Sequence, residues 1–356
     1  MGRRMPPRVT YWTGTWDPRQ EAISKEVELL RSIGGHLRPV VSFSSGQEWR
    51  VDRRRRVVQL GANQWWLLRA VARAVERTAS ITHVFGSLDS WHLLRAVGGR
   101  PVVLTAALSG RSVDATLWSR VSLFVAESDR LRAELRESGI PADRIRLIYP
   151  GIDLHEYRPG PGPSLPESRF RLLFASSPAD PREFEVRGIS LLVEVARACP
   201  EIDVVLLWRD WGSREEAGRA LARLAPPHNV KIERADGREM PSIYRSSDAV
   251  ACLYDRDFGK SCPNSVVEAL GCGIPAIVSN SIGIAPLLSD SHAGLAVARD
   301  VRTVVDAVRV MRDRHHSFAR GARSLAERAF DVRQFLHGYE GVYAELSVCE
   351  QAARAA

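Results

Sequence analysis

The sequence is poor in lysine, poor in cysteine and free of long apolar runs. Among its 50 basic residues only Lys25, Lys231 and Lys260 are lysines. Beside so much Ala and Gly, that skew reads as codon bias, and it makes a lysine in any key position conspicuous. The five cysteines (Cys199, Cys252, Cys262, Cys272 and Cys349) form no CxxC pair and no Cys/His cluster at zinc spacing. A sparse, odd set suits a reducing cytoplasm, where a buried thiol is a small apolar filler. Neither a disulfide nor a metal is expected. No stretch approaches the ~18 uncharged apolar residues of a membrane-spanning helix. The Arg- and Pro-rich start, Met1 to Arg8, does not read as a secretory leader, so a cytoplasmic location is expected.

A chain of 356 residues is long enough for about two domains, each with its own core. Apolar residues at 45% and charged residues at 26% describe an ordinary globular protein. The net charge of +8 is uneven: residues 1–158 hold 25 basic against 16 acidic side chains, a net +9, and the remainder is at −1. The first half therefore either meets an anionic partner or carries a plain basic surface.

Short Val/Ile/Leu runs recur between helix-like stretches. They lie near Val9–Gly14, Leu37–Ser44, Ile81–Gly86, Pro101–Thr105, Ser122–Ala126 and Ile145–Pro150 in the first half. The second half has Arg171–Ala175, Asp203–Trp208, Val230–Glu233, Ala249–Tyr254, Pro275–Ser279 and Gly294–Val297. Runs that are continuous rather than alternating indicate strands buried on both faces, as in parallel sheets covered by helices. One amphipathic stripe (Ile23, Val27, Leu30, Ile33) follows a predicted helix start at Asp17-Pro18; another (Leu191, Val195, Ala198) follows Gly188. The segment from Arg158 to Pro166 has too many prolines for a helix or a central strand. It divides the chain into two doubly wound α/β domains with six strands each, expected to face each other across a cleft that holds the ligand.

The segment Asp257-Phe-Gly-Lys-Ser-Cys-Pro-Asn-Ser-Val-Val-Glu268 is the richest in chemistry. It follows a strand, turns through Gly259 and Pro263, and enters a helix that Asn264 or Ser265 can cap. Free amides and the dipole at such a helix start favour anions, so the Pro263–Ser265 turn is a candidate phosphate cradle. Glu268, a turn further on, is either a receiver of paired sugar hydroxyls or a capping-type carboxylate.

This segment resembles the nucleotide-sugar site of retaining glycosyltransferases of the GT-B fold, family 4 type, whose signature is Glu-x7-Glu followed by Ala-x-x-x-Gly-x-Pro. Glu268-Ala269, Gly273 and Pro275 match its second half. Ser122–Ser128, Ile148-Tyr-Pro-Gly-Ile-Asp153 with Pro159, Arg187-Gly188-Ile189, and Ala326–Asp331 through Tyr339 and Tyr343 match further family segments in order. The resemblance implies an acceptor-binding domain at 1–158 and a nucleotide-sugar domain at 159–333. A closing helix at about 334–356 would return to the first domain. It implies that Glu268 holds the ribose, that Cys262, Pro263, Asn264 and Ser265 line the diphosphate turn, and that Arg187 neutralises the pyrophosphate with a bidentate fork. Gly14 and Thr15 would lie across the cleft. Cationic side chains and helix dipoles would stabilise the leaving diphosphate with no metal and no cofactor.

Three departures accompany it. Lys260 stands where the first glutamate of the pair belongs, either as a ligand for phosphate or an unusual sugar carboxylate, or as a solvated loop lysine. Ala107 replaces a histidine, with His83 and His92 as substitutes or as structural histidines. Ala175-Ser176-Ser177-Pro178 replaces a Gly-Arg pair, for which Arg182 or Arg209 can substitute. The expected activity is transfer of a sugar from a nucleotide-diphosphate sugar, UDP- or GDP-linked, to a hydroxyl with retention. The alternative is a GT-B-like scaffold that binds a nucleotide or a protein without turnover.

The basic half also carries Arg50-Val-Asp-Arg-Arg-Arg-Arg56, and Trp65-Trp66 ahead of a helical stripe of Arg69, Arg73 and Arg77. Tryptophans beside a basic face suit peripheral contact with an anionic membrane and an anionic or lipid-linked acceptor; the other reading is a core-packed helix with a basic outer face. The arginine run belongs to no nucleic-acid-binding module.

Overall fold

The computed structural model describes residues 7–33, 37–44, 46–88, 90–110, 115–160, 169–176, 180–208, 214–235, 237–255 and 258–355. The chain divides into two compact units: Met1–Gly151 with Arg333–Ala356, and Ile152–Val332. The division falls ahead of the proline-rich segment, whose residues 161–166 lie outside the described residues.

The first unit holds β1 (Val9–Thr13), β2 (Val40–Phe43), β3 (Arg50–Asp52), β4 (Val57–Leu60), β5 (Ile81–Ser87), β6 (Val102–Leu108), β7 (Val121–Ala126) and β8 (Ile145–Leu147). Their order is β3-β4-β2-β1-β5-β6-β7-β8. All neighbours are parallel except β3, which pairs antiparallel with β4. Its helices are α1 (Ala22–Arg31), α2 (Leu68–Glu76), α3 (Trp91–Ala96), α4 (Ala115–Trp118) and α5 (Asp129–Glu137).

Adjacent strand residues feed two separate cores. Trp12, Val84, Leu104 and Phe124 join α2, α3 and α5 on one face. Tyr11, Phe85, Val103 and Leu123 join α1 and the last helix on the other. A strand buried on both faces has no reason to alternate, which accounts for the continuous apolar runs.

The second unit holds β9 (Phe170–Phe174), β10 (Ile202–Trp208), β11 (Val230–Arg234), β12 (Ala249–Cys252), β13 (Ala276–Ser279) and β14 (Gly294–Val297). Their order, β11-β10-β9-β12-β13-β14, with every pairing parallel, is the doubly wound 3-2-1-4-5-6 pattern. Its helices are α6 (Ile189–Ala198), α7 (Arg214–Arg223), α8 (Met240–Arg245), α9 (Asn264–Gly271), α10 (Ala285–Asp290), α11 (Val301–Asp313) and α12 (His315–Ala329). The last helix, α13 (Val332–Ala355), places Phe335, Tyr339, Val342, Tyr343 and Leu346 in the first unit's core. Each fully buried side chain of that stripe contributes about 1.5–3 kcal/mol.

Several expectations are corrected. The first sheet has eight strands rather than six, because Arg50–Asp52 and Val57–Leu60 form a hairpin. Arg53–Arg56 is its turn, and Arg56 takes a positive φ of 52°. Helix α1 begins at Ala22 rather than at Asp17-Pro18, because Glu21 caps it: its carboxylate accepts the amides of Ile23 at 3.0 Å and Ser24 at 2.5 Å. Trp65 and Trp66 sit in a separate 3-10 turn, Ala62–Leu67, ahead of α2. Helix α9 has Pro263 as its N-cap and no side-chain cap, so neither Asn264 nor Ser265 performs that role.

Candidate functional site

In an open parallel sheet the crevice forms at the carboxyl ends of the strands where the order reverses. In the second unit that point lies between β9 and β12. The chain leaving β9 brings Ser176, the chain leaving β12 brings Tyr254, and their hydroxyl oxygens lie 2.6 Å apart. The carbonyl of Tyr254 accepts the hydroxyls of Ser279, at 2.5 Å, and Ser281, at 3.3 Å, fixing the turn after β12 from the β13 side.

Arg187 enters the same place from the loop before α6. Its guanidinium carbon lies 5.1 Å from the ring centre of Phe258 and 6.0 Å from that of Tyr254. Those rings meet edge-on at 5.5 Å. Its Nε donates to Glu183 at 2.6 Å. The stack and the ion pair together hold a half-buried guanidinium in one direction. Gly188 makes that approach feasible: its φ is +78°, and a Cβ there would sit 2.6 Å from the carbonyl oxygen of Leu253. Gly259 is similar, with φ +71° and the Tyr254 ring 3.0 Å from a would-be Cβ.

Lys260 is only 8% exposed and donates to Asn264 Oδ1 at 3.1 Å. A solvated loop lysine is therefore excluded; the cation is drawn onto the first residue of α9. Asn264 and Ser265 are half-buried at the uncapped helix start, where the dipole adds positive potential. Cys262 is fully buried and offers no ligand surface, a correction to its expected place in the diphosphate turn. Burial also pushes the Cys252 and Cys272 thiols up to about 12, so both stay protonated.

Glu268 is neither a cap nor an open receiver. It is 3% exposed, and its Oε2 accepts the Tyr244 hydroxyl at 2.8 Å. Burial, and then the charge of Glu268, push the neighbouring Tyr157 hydroxyl well above its ordinary range. Tyr157 and Tyr244 stand 6.5 Å apart centre to centre. The carboxylate thus sits against two tyrosines.

Arg182 does not join the site: its side chain is 90% exposed and its fork is spent on Asp180 at 2.8 Å. Arg209 lies outside the described residues. Gly14 and Thr15 lie in the first unit, at the carboxyl end of β1 beside that sheet's own switch point with β5. A Cβ on Gly14 meets nothing within 4 Å. Thr15 is exposed, its carbonyl accepting the Ser24 hydroxyl at 2.9 Å.

His83 is structural. It is fully buried, with Nδ1 2.8 Å from the Tyr343 hydroxyl and Nε2 2.7 Å from that of Thr105. Exposed His92 stacks on Phe43. Sequence reasoning missed Ser176, Tyr254, Phe258 and Tyr244. The signal for Tyr254 was its place just past the fourth strand of a doubly wound sheet. Among the described residues no group of three or more His, Cys, Asp or Glu side chains is placed to hold a metal ion.

Residues 8–156 match the model of Glycosyltransferase Family 4, and residues 171–313 that of Glycosyl transferases group 1. The chain belongs to this family of glycosyltransferases, and its two parallel-sheet α/β units have the GT-B fold. It is 27% identical over 248 residues to a D-inositol 3-phosphate glycosyltransferase of Saccharomonospora viridis, covering 62% of this chain and 56% of that one. The chain spans about half the length of the curated relatives it matches. In fold it is similar to HepE of Anabaena, solved with UDP and glucose (TM-score 0.71, 16% identity, 95% of this chain and 99% of that one). It is likewise similar to the sucrose-phosphate synthase of Thermosynechococcus elongatus (TM-score 0.73, 15% identity, 96% and 100%).

Proposed function

We propose that this protein transfers a sugar from a nucleotide-diphosphate sugar to an acceptor hydroxyl with retention of configuration. The observation that carries the reading is the grouping of two restrained cations, Arg187 and Lys260, with the uncapped start of α9 around the switch point between β9 and β12. Preorganised positive charge at such a point stabilises a leaving diphosphate. That supports departure without a metal ion, the leaving phosphate itself taking the acceptor proton. UDP and glucose in the Anabaena structure support a UDP-sugar donor. The relatives named for D-inositol 3-phosphate support an anionic acceptor.

In this reading Arg187 and Lys260 meet the diphosphate, Asn264 and Ser265 present their amides to it, and the ribose is assigned to Glu268, whose buried carboxylate Tyr244 holds in place. Exposed Trp65 and Trp66, followed by Arg69, support peripheral contact with an anionic membrane. The location is proposed to be the cytoplasm.

Thermal shifts with UDP, GDP, ADP, dTDP and their sugars test the donor. A ligand at 100 times its dissociation constant stabilises by about 2.7 kcal/mol. One nucleotide is expected to act, with its shift lost in Lys260→Ala and in Arg187→Ala. The product's anomeric configuration, read by NMR, is expected to match the donor's, and EDTA to leave the rate unchanged. No shift with any nucleotide would return the chain to the reading of a scaffold without turnover; an inverted product would overturn retention alone.

A further inference from the structure

The opposite edge of the first sheet carries a second concentration of charge. The chain enters β5, β6 and β7, three adjacent strands, from Glu76–Ser80, Gly98–Pro101 and Ser119–Arg120. These entries border a pocket of about 520 Å³ into which Arg69, Arg73, Arg95 and Arg120 contribute. All four arginines are exposed. Among the described residues the pocket is lined by a single carboxylate, Glu76.

That carboxylate is already satisfied by neutral donors. Its Oε1 accepts the Thr82 hydroxyl at 2.8 Å and the Gly98 amide at 3.2 Å, and its Oε2 accepts the Gly99 amide at 3.0 Å. Glu76 is therefore a brace for the Gly98-Gly99 turn; a Cβ on Gly99 would stand 2.7 Å from its oxygen. Among the described residues no carboxylate pairs with Arg69, Arg73 or Arg120. The carboxyl ends of α2 and α3 each add roughly half a negative charge; set with Glu76 against Arg69, Arg73 and Arg120 alone, they still leave a surplus of about one positive charge. Arginine forks concentrated in a concave pocket recognise planar or tetrahedral oxyanions, phosphate above all. The volume falls within the range of small-molecule sites and exceeds what one phosphate fills.

We propose that the Arg69/Arg73/Arg95/Arg120 pocket binds a ligand carrying more than one phosphate group, at a site separate from the switch point of the second unit. The shared chemistry admits two sources, a free oligophosphate and a phosphorylated lipid headgroup. The inference does not rest on the proposed donor site.

Full-length protein, an Arg73→Ala/Arg120→Ala variant and an Arg77→Ala/Arg53→Ala variant are titrated with tripolyphosphate by calorimetry at fixed ionic strength. The second variant removes the same charge from exposed positions that do not line the pocket. A Lys260→Ala control identifies heat that comes from the donor site. The same proteins are pelleted with vesicles containing phosphatidylinositol bisphosphate and with vesicles of phosphatidylcholine alone. Affinity for tripolyphosphate about tenfold or more weaker in the Arg73/Arg120 variant alone supports the pocket and a soluble source. Loss of bisphosphate-vesicle pelleting in that variant alone supports the pocket and a headgroup source. Equal effects of the two arginine variants, or no effect of either, overturn the proposal. Unchanged melting temperatures of both variants show that the fold is kept.

Discussion

The hydroxyl oxygens of Ser176 and Tyr254 lie 2.6 Å apart, joining the chains that leave β9 and β12 where the second sheet reverses its order. That bond sets the plane of the Tyr254 ring, and the ring with Phe258 sets the direction of Arg187. The two aromatic side chains are thus positioning residues for the cation assigned to the diphosphate.

Tyr254→Phe keeps the ring and loses only the hydroxyl bond, so nucleotide affinity is expected to fall by no more than about threefold, the cost of one hydrogen bond of ~0.5–1.5 kcal/mol being shared with folding. Tyr254→Ala removes the surface on which Arg187 rests and is expected to cost tenfold or more, since a desolvated cation–π contact is worth about 2 kcal/mol. Calorimetric titration with the nucleotide found by thermal shift measures both. Equal losses in the two variants would show that the stack plays no part.

Gly188→Ala tests the approach of the α6 start to β12. The position has φ +78°, and the new Cβ would meet the Leu253 carbonyl oxygen at 2.6 Å. Gly139 also has a positive φ, +87°, but open space around it. Gly139→Ala is expected to cost about 1 kcal/mol, from backbone strain alone, and Gly188→Ala distinctly more. Denaturant midpoints of the two variants decide it, and similar costs would remove the steric argument.

The parts legible in the sequence are those set by burial. Four strands of the second unit, β9, β10, β12 and β13, were visible because they are buried on both faces and leave continuous apolar runs; β11 and β14, the two edges, are less buried and were legible by their short Val/Ile/Leu content alone. The edge hairpin was not. Arg50-Val-Asp carries no apolar pattern, and its pairing with Val57–Leu60 is decided by the sheet it joins. Arg187 and Lys260 were legible as charges; their restraint was not, since Phe258 and Tyr254 were read only as parts of a loop and a strand. The inward turn of Glu268 depends on Tyr244, which belongs to a different helix, so local spacing gave no sign of it.

His83 makes the first unit sensitive to acid. Burial pulls its pKa down to about 3, and its ring bridges Thr105 on β6 and Tyr343 on α13. In the unfolded chain the group titrates near 6.5. Below about pH 6.5 the unfolded chain takes up a proton that the native chain refuses, so stability falls with pH by about 1.4 kcal/mol per unit until the native value is reached. Above that range the group contributes no pH dependence. Between pH 7.5 and 5.0 the wild type is expected to lose about 2 kcal/mol more than His83→Gln does. Unfolding midpoints at the two values measure this, and parallel losses would show that His83 does not govern acid sensitivity.

Trp65 and Trp66 provide the last test, that of membrane contact. They are 68% and 65% exposed, and the Trp66 indole nitrogen donates to the Asn63 carbonyl at 3.1 Å. A core-packed segment would have hidden these rings, whereas α2 buries Leu68 and Ala72 and leaves Arg69 and Arg73 outward. Insertion of two indoles at the headgroup level removes apolar surface from water, and Arg69 adds attraction to anionic lipid. Trp65→Ala/Trp66→Ala is therefore expected to weaken pelleting with phosphatidylglycerol vesicles roughly tenfold while leaving tripolyphosphate affinity unchanged, because neither ring lines the arginine pocket. Wild-type protein that stays in the supernatant with both phosphatidylglycerol and phosphatidylcholine vesicles would remove the membrane from the proposed function.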